Sequence, residues 1–126
     1  MTRVRAILLA SLSFASGAGF VGARQQAPVT RRVPQFENSE VTVWKTIIEP
    51  NQPLVMHRHE HGRTLIALTD GVLQVVDSAG KVKDTYNLKA GSAMWLDKDP
   101  PVVTHADVNR SGRTIEVIVV QLKNDK

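Results

Sequence analysis

The sequence contains no cysteine, and this absence excludes several classes of site at once. Without thiols the chain can form neither disulfide bridges nor zinc-finger sites, and it has no thiolate nucleophile. Aromatic residues are also scarce, at 5% of the chain. A small domain of this composition has to be stabilised by its hydrophobic core, and any metal ion has to be bound by histidine and by oxygen ligands.

A concentrated basic surface is missing as well. The chain carries 16 basic and 12 acidic residues, which gives a formal net charge of +4. Three of the arginines, Arg24, Arg31 and Arg32, lie near the N-terminus, and no basic cluster occurs in the body of the chain. Nucleic-acid-binding proteins concentrate basic residues on one face, and those that bind single strands add aromatic residues. The sequence therefore argues against a nucleic-acid partner.

A long apolar run is found at the N-terminus. Arg3 and Arg5 precede an apolar stretch from Ala6 to Phe20, and Val21-Gly22-Ala23 then supplies the small residues of a cleavage site. The stretch is shorter than the roughly 20 residues that span a bilayer. We therefore predict a signal peptide over residues 1–23, export to the periplasm or the exterior, and no stable membrane insertion after cleavage. Retention as an uncleaved anchor is the alternative.

The remainder divides into two parts. Residues 24–39 include Pro28 and Pro34 and show no apolar periodicity, which predicts an N-terminal tail or linker. From residue 40 to residue 126, short β-branched runs alternate with turn signals such as Asp70-Gly71, and no window shows a helical stripe. Roughly eight short strands close most economically as a barrel or a double-sheet jelly roll. We therefore predict one all-β domain over residues 40–126.

Within this domain, the apolar runs suggest which side chains form the core. Strands are expected at Leu54 to His59 and at Val102 to Ala106, among others. The aromatic and sulfur-containing residues Trp44, Tyr86, Met94 and Trp95 are expected to line the core or a pocket. The remaining core positions are predicted to be Val55, Ile66, Leu68, Val75, Ile118 and Val120.

Three of the four histidines in the chain are found at positions 57, 59 and 61. Residues i and i+2 of an extended strand point to the same face, so His57 and His59 present two imidazoles side by side. Imidazole binds zinc, copper, iron and nickel, and it also binds manganese in mixed sites. A His-x-His pair also occurs on surfaces without a metal, and His105 alone could be a partly buried histidine bonded to the backbone.

The spacing around these histidines resembles the two motifs of the cupin family. His57-Arg58-His59, four residues, Thr64, six residues and Gly71 match the first motif, in which a glutamate stands at the position of Thr64. Gly91 opens the second motif and His105-Ala106-Asp107-Val108-Asn109 closes it. The resemblance covers about residues 40 to 122. It implies a jelly-roll β-barrel, or double-stranded β-helix, with both histidine segments inside its mouth, and it implies a homodimer.

Two departures from the family pattern affect the site. Thr64 replaces the carboxylate ligand, as in the three-histidine branch of the family, and the loop before His105 is longer and carries Asp97 and Asp99. The resemblance therefore implies one divalent transition metal ion on His57, His59 and His105. The ion could be iron, manganese, zinc, nickel or copper.

Four more residues are candidates for the pocket or for contacts behind the ligands. Thr64 can hydrogen-bond a water on the ion, and Asp107 can orient the imidazole of His105. Arg63 can pair with a carboxylate or enolate ligand, although a solvated loop position is the more common role for such a residue. His61 has the same parity as His57 and His59, so it could point inward. It lies, however, where the strand is expected to end, and this favours a pocket-edge or exposed role over a ligand role.

Three neutral imidazoles leave the full +2 charge of an ion uncompensated, which strengthens it as a Lewis acid and favours anionic ligands. The sequence therefore predicts a metalloenzyme, in its best form dioxygenase-like, that acts on a small anionic or oxygen-bearing substrate. Isomerase, lyase or hydrolase chemistry uses the same residues. The alternative is a non-catalytic extracytoplasmic module that binds a metal or a small ligand, and a structural domain with a relic site is a third possibility. No catalytic acid or base is assigned.

Overall fold

The computed structural model describes residues 27–126, and over this range the chain is built of strands, turns and loops. The eight strands are β1 Arg31–Glu37, β2 Val41–Ile48, β3 Arg63–Ala67, β4 Gly71–Val76, β5 Val82–Leu88, β6 Ala93–Leu96, β7 Ala106–Asn109 and β8 Ile115–Leu122. The all-β prediction is confirmed. Between residues 27 and 126 no helix is long and apolar enough to cross a membrane. The predicted signal peptide lies outside the described residues.

The strands form two antiparallel sheets. One has five strands in the order β1-β2-β8-β3-β6, and the other has three in the order β5-β4-β7. The long pair β2 and β8 is in continuous register from Val41↔Leu122 to Ile48↔Ile115. Strand β3 follows β2 in sequence but pairs with β8, so neighbours in the sheet are distant in the chain. Such non-sequential pairing wraps the two sheets around a common interior.

The core lies between the two sheets. Alternate residues of each strand face it, since successive side chains of a strand point to opposite sides. The buried cluster consists of Trp44, Ile48, Leu65, Ala67, Leu73, Leu88, Ile115, Val117 and Val119. Burial of each large aliphatic side chain contributes about 1.5–3 kcal/mol to folding. This packing provides the rigid walls on which the functional residues are mounted.

Several residues that were predicted to be in the core lie instead on the outer face of the five-stranded sheet. Ile66, Ile118 and Val120 are only half-buried on the outer face of the five-stranded sheet, and Leu68 is exposed. Strands β3 and β8 are apolar on both faces, so their sequences do not reveal which set of alternate residues faces inward. Val55, which was also expected in the core, is 82% exposed. Val75 is half-buried and lines the interior.

The prediction of a tail or linker over residues 24–39 is wrong for Arg31–Glu37, which forms strand β1. This strand pairs with β2 from Arg31↔Ile47 to Glu37↔Thr42, with a register shift between Pro34 and Phe36. A proline lacks the backbone N–H, so it is tolerated at the edge of a sheet, which is where β1 lies. The strand is mostly exposed, and this explains why its sequence has no apolar periodicity.

The two segments that carry the histidines are loops rather than the expected strands. The chain from Asn51 to Gly62 has no strand, apart from an isolated antiparallel bridge between His57 and His105. Strand β7 begins at Ala106, and Val102 and Val103 before it are exposed. These two loops lie against each other at one end of the barrel, where they form its mouth.

Candidate metal centre

Backbone hydrogen bonds join the two histidine loops. The amide of His57 donates to the carbonyl oxygen of His105 at 2.8 Å, and the amide of His105 donates to that of His57 at 2.9 Å. Next to this bridge, the amide of Asp99 donates to the His59 carbonyl oxygen at 2.8 Å, and the amide of His59 donates to Asp99 Oδ2 at 2.7 Å. The three predicted ligands are therefore held together although about fifty residues separate them in the sequence.

The three imidazoles form a compact, buried cluster. Ring centroids are 4.8 Å apart for His57 and His59, 4.5 Å for His57 and His105, and 5.5 Å for His59 and His105. One ring nitrogen of each residue lies within 4.8 Å of those of the other two. His59 and His105 are each only 7% exposed. Such a cluster has the composition and proximity of a three-histidine metal site.

Acceptors orient the rings of the two histidines on the first loop. Nδ1 of His57 lies 2.7 Å from the carbonyl oxygen of Val55, and Nδ1 of His59 lies 3.1 Å from Gln121 Oε1. Both oxygens accept hydrogen bonds, so each Nδ1 carries the proton and each Nε2 keeps a free lone pair. Metal-binding histidines in proteins are usually held by such a bond from the second nitrogen.

Asp99, rather than Asp107, contacts the Nδ1 side of His105. The distance from His105 Nδ1 to Asp99 Oδ2 is 3.4 Å. The expectation that Asp107 orients His105 is therefore wrong, and the carboxylate of Asp107 instead lies 3.5 Å from Nε2 of His57. All three rings thus have an acceptor on the Nδ1 side, which leaves the three Nε2 atoms for a shared ligand.

The protonation of the cluster suits a metal ion. Burial, together with the nearby positive charge of Arg63, lowers the pKa of His59 to about 3. Burial also lowers the pKa of His57 below its ordinary value. Neutral imidazole is the form that binds metal ions. In addition, Nε2 of His57 is buried and has no hydrogen-bond partner among the described residues, so the donor set fits an ion.

His59 and His105 line a cavity of about 140 Å³ inside the barrel. Apolar residues of both sheets form its walls. Its polar lining includes the carboxylates of Asp99 and Asp107 and the hydroxyl of Tyr86. Burial raises the pKa of Tyr86, so this hydroxyl stays a hydrogen-bond donor at neutral pH. The interior therefore contains acid and base groups beside the histidines that the sequence did not assign.

Arg63 lies inside this cavity and is only 6% exposed. It begins strand β3 and shares the inward face with Leu65. Its Nη1 donates to the carbonyl oxygen of Asp97 at 3.0 Å, and none of the ion pairs between residues 27 and 126 includes it. Burial lowers its pKa, and Asp99 and Asp107 partly offset this effect. Arg63 therefore lies in the pocket, as one of its two proposed roles required, and the alternative of a solvated loop position is wrong.

Thr64 does not belong to the site. Strand β3 alternates its faces, so Thr64 points away from the cavity that Arg63 lines. On the outer face, it pairs with Val120 on one side and Trp95 on the other. The cupin motif allows three or four residues between the histidine pair and the glutamate. If three residues are counted after His59, the motif's glutamate position corresponds to Arg63, which faces inward. At this position the chain has a cation where the motif has a carboxylate.

His61 contacts the C-terminal segment and does not belong to the histidine cluster. Its Nδ1 lies 2.7 Å from Asp125 Oδ1, and the amide of Gly62 donates to Asp125 Oδ2 at 2.7 Å. The ring of Trp95 packs so closely on Gly62 that a Cβ at this position would clash with it. Trp95 itself is 53% exposed, contrary to the expected core or pocket position.

Two residues behind the ligands were not predicted as part of the site. Gln121 has the inward parity of Val119 on β8, and a polar residue at such a position in an apolar strand is a usable signal. Asp99 was noted only as a departure from the second motif. Its contacts depend on how the loop from Asp97 to Thr104 folds back on His59, which spacing alone does not specify.

Comparison with known proteins identifies the fold. No family model matches the sequence, and no curated protein matches it. A cupin domain from Bordetella pertussis has a TM-score of 0.66 at 21% identity, covering 80% of this chain and 100% of that one. A Klebsiella pneumoniae protein with a double-stranded β-helix domain scores 0.56 at 22% identity, covering 79% and 81%. An RmlC-like cupin from Methanocaldococcus jannaschii scores 0.58 at 14% identity, covering 79% and 85%. The chain therefore has the cupin-type double-stranded β-helix fold.

Proposed function

We propose that the protein binds one divalent transition metal ion through Nε2 of His57, His59 and His105. The observation that carries this proposal is the hydrogen bonding of the two ring nitrogens of each histidine. Each Nδ1 faces an acceptor, whereas Nε2 of His57 is buried without a partner. A buried polar atom without a partner costs about 1–3 kcal/mol, and a bound ion would remove this cost.

The ion would act on a small molecule in the cavity of the barrel. A bound ion would supply Lewis acidity and, if it is iron, electron transfer to dioxygen. Ligand pockets for drug-sized molecules measure about 300–1,000 Å³, whereas this cavity is about 140 Å³. The proposed ligand is therefore small, and the apolar walls from both sheets keep bulk water away from it.

One buried cation of the cavity, Arg63, favours an anionic ligand. The guanidinium of Arg63 is buried beside the cluster, and no carboxylate of the described residues forms an ion pair with it. Arginine presents a planar set of donors that matches a carboxylate with two parallel hydrogen bonds. We therefore propose a small carboxylate or another oxyanion as the substrate, held by Arg63 while a second oxygen faces the histidines.

The first test measures metal content in protein without a histidine tag. Wild type, His57→Ala and His105→Ala would be purified and analysed by mass spectrometry for bound metals. His61→Ala is the matched control, because this histidine contacts Asp125 and not the cluster. We expect about one ion per chain in wild type and control, and loss of the ion in the two cluster variants. A wild type that contains no ion and takes up none on addition would overturn the proposal.

The identity of the ion then guides the choice of reaction. With iron, dioxygen uptake in the presence of small carboxylates would support the dioxygenase-like form of the proposal. With zinc, manganese or nickel, the same carboxylates would be tested for isomerase, lyase or hydrolase turnover. Tight binding of a carboxylate without turnover under any of these conditions would instead support a non-catalytic binding module.

We also propose that the protein is exported and forms homodimers. Export is supported by the N-terminal sequence Arg3 to Ala23. It would be tested by cell fractionation and by the intact mass of the mature chain, which should begin at Arg24. Dimerisation is supported by apolar residues on the outer face of the five-stranded sheet. Among them, Phe36 is 59% and Trp95 is 53% exposed.

A further inference from the structure

We infer that the proposed substrate extends into a second subsite, an outer groove in which Arg32 binds an anionic group. The inference rests on the proposed function, in which the cavity holds the end of the ligand beside the histidines. The outer groove lies between strand β1, its neighbour β2 and the first histidine loop, and it has a volume of about 650 Å³. Its lining includes Thr42, Arg58 and Gln121.

The outer groove adjoins the cavity. Arg32, Trp44 and His59 line both spaces. Because His59 is one of the proposed ligands of the ion, a molecule bound at the ion lies beside the groove. The cavity of about 140 Å³ is smaller than the usual ligand pocket of about 300–1,000 Å³, whereas the groove of about 650 Å³ falls within this range. The two spaces together therefore hold a longer ligand than the cavity alone.

The side chain of Arg32 is positioned by an aromatic ring. Its guanidinium carbon lies 4.9 Å from the centroid of the Trp44 ring, and Trp44 Nε1 donates to Thr46 Oγ1 at 3.1 Å, which fixes the indole. A guanidinium over an aromatic ring is attracted to the face of that ring, while its N–H donors lie in its own plane. Within residues 27–126 no side-chain hydrogen bond or ion pair uses the donors of Arg32. They are therefore available to a ligand.

The outer groove carries one uncompensated positive charge. Of the arginine and glutamate side chains that line it, Arg32 is the only one without an ion-pair partner among the described residues. Glu37 pairs with Lys123 at 3.0 Å, and Arg58 pairs with Glu60 at 3.0 Å. Arg32 is also exposed, so an anion can reach it from solvent. The charge of the groove therefore favours an anionic group at Arg32.

Arg32 and Arg63 are placed to bind two separate groups of one ligand. Strands β1 and β3, which carry them, are separated by β2 and β8, so their backbones lie about 14 Å apart across the sheet. Both side chains nevertheless line the same cavity. The carboxylates of Asp99 and Asp107 form ion pairs with histidines and with neither arginine. A ligand with two anionic groups matches this arrangement better than a single carboxylate does.

The test compares two series of ligands of equal chain length. Succinate, glutarate and adipate carry two carboxylates, whereas butyrate, pentanoate and hexanoate carry one. Isothermal titration calorimetry at constant ionic strength measures their binding to wild type, Arg32→Gln and Arg31→Gln, each as purified. Arg31→Gln is the matched control, because Arg31 is the neighbouring exposed arginine of β1 but lines neither the cavity nor the outer groove.

We expect the best dicarboxylate to bind wild type about 10-fold more tightly than the monocarboxylate of the same length, in keeping with a hydrogen bond between charged groups. Arg32→Gln should abolish this difference and leave the affinity for monocarboxylates unchanged. Arg31→Gln should match wild type for both series.

Equal affinities of wild type for the two series would overturn the groove subsite and leave the carboxylate substrate of the proposed function intact. An equal loss in the two arginine variants would do the same, because the effect would then follow from net charge. A wild type that binds neither series would overturn the carboxylate substrate, and the groove subsite with it.

Discussion

Each imidazole of the cluster is oriented by a different kind of acceptor. A backbone carbonyl contacts His57, a side-chain amide contacts His59 and a carboxylate contacts His105. The three acceptors come from separate parts of the chain, yet all of them lie on the Nδ1 side. At the scale of single residues, the site therefore depends on which nitrogen carries the proton as much as on the presence of three histidines.

The contact of Gln121 with His59 gives a testable consequence. Replacing Gln121 with Leu removes the acceptor for Nδ1, so the ring loses its fixed tautomer and orientation. We expect metal affinity to fall about 10–100-fold, as for other outer contacts of metal-binding histidines. Competition with a coloured chelator measures this change. Gln74→Leu on strand β4 is the control, since Gln74 contacts Arg110 rather than the cluster. Equal affinities in the two variants would show that Gln121 does not position the ligand.

The depressed pKa of His59 predicts a pH dependence of stability in the metal-free protein. Folding holds this pKa at about 3, mainly through burial, against about 6.5 in the unfolded chain. The unfolded state therefore binds a proton between these values and the folded state does not, so stability falls as the pH is lowered from about 6.5 towards 3. We expect a loss of about 3 kcal/mol between pH 7 and pH 4 from this residue.

Urea unfolding of chelator-treated protein at several pH values measures this slope. His59→Gln removes the titrating group, so its stability should change less over the same interval. His61→Gln is the control, because His61 lies outside the cluster and pairs with Asp125. Equal slopes for wild type and His59→Gln would mean that folding does not shift the pKa of His59.

Sequence spacing could predict the three histidines but only some of the residues around them, such as Arg63 and Asp107. The His-x-His pair and the later histidine follow a motif with nearly fixed spacing. The alternative spacings of three and four residues, by contrast, direct either Arg63 or Thr64 inward. A shift of one residue along a strand moves every side chain to the opposite face. The sequence alone therefore does not show whether the inward residue is the cation Arg63 or the neutral Thr64. Asp99 reached the site through a loop conformation that no motif specifies.

At the scale of elements, the two loops at the mouth hold the site more than the strands do. The loop before His105 contains Val102, which has a positive φ of 60° and is 95% exposed. A β-branched residue is strained in this conformation, at a cost of about 1–2 kcal/mol. The exposed side chain makes no compensating core contact, so the strain belongs to the turn that brings Asp99 and His105 to the cluster.

Replacing Val102 with Asn should relieve this strain, because asparagine tolerates the left-handed region. We expect the free energy of unfolding to rise by about 1 kcal/mol, with unchanged metal content. Val103→Asn is the control, as Val103 is also exposed but has no positive φ. Chemical denaturation of the three proteins measures the difference. A destabilised Val102→Asn variant would mean that the valine side chain contributes contacts that outweigh the strain.

The strands themselves were predictable to different degrees. The apolar run of β8 and the turn before β4 are strong local signals, and both elements occur where the pattern places them. Strand β1 gave no such signal, because an edge strand that is exposed on most of its residues needs no apolar alternation. Its position is determined by long-range pairing with β2, which is a property of the assembled sheet and not of the local sequence.

At the scale of the whole molecule, the two faces of the five-stranded sheet have different partners. The inner face packs against the three-stranded sheet and carries Arg63 and the core. The outer face carries a row of paired residues across all five strands, formed by Phe36, Val43, Val120, Thr64 and Trp95. Phe36 and Trp95, at the two edges of the sheet, are exposed, whereas Val43 is buried. Large apolar surfaces on soluble proteins mark interaction sites. A second copy of the chain is the occupant that we propose for this face.

Light scattering during size-exclusion chromatography tests this dimer. Ile118 lies on the outer face, where it pairs with Lys45 on one side and Ile66 on the other. A lysine at this position would place a charge in an interface that typically buries about 800 Å² per partner. We expect wild type to have twice the mass of one chain, and Ile118→Lys to be a folded monomer that still binds metal.

Val82→Lys is the matched control, because Val82 is 43% exposed but lies on strand β5 of the other sheet. It should remain dimeric. If both lysine variants dissociate, the effect follows from added charge and not from the outer face. If wild type is already monomeric at concentrations of about 100 μM, the free energy of association is weaker than about −5.5 kcal/mol. The apolar row would then serve another partner, and the metal site would be complete within one chain.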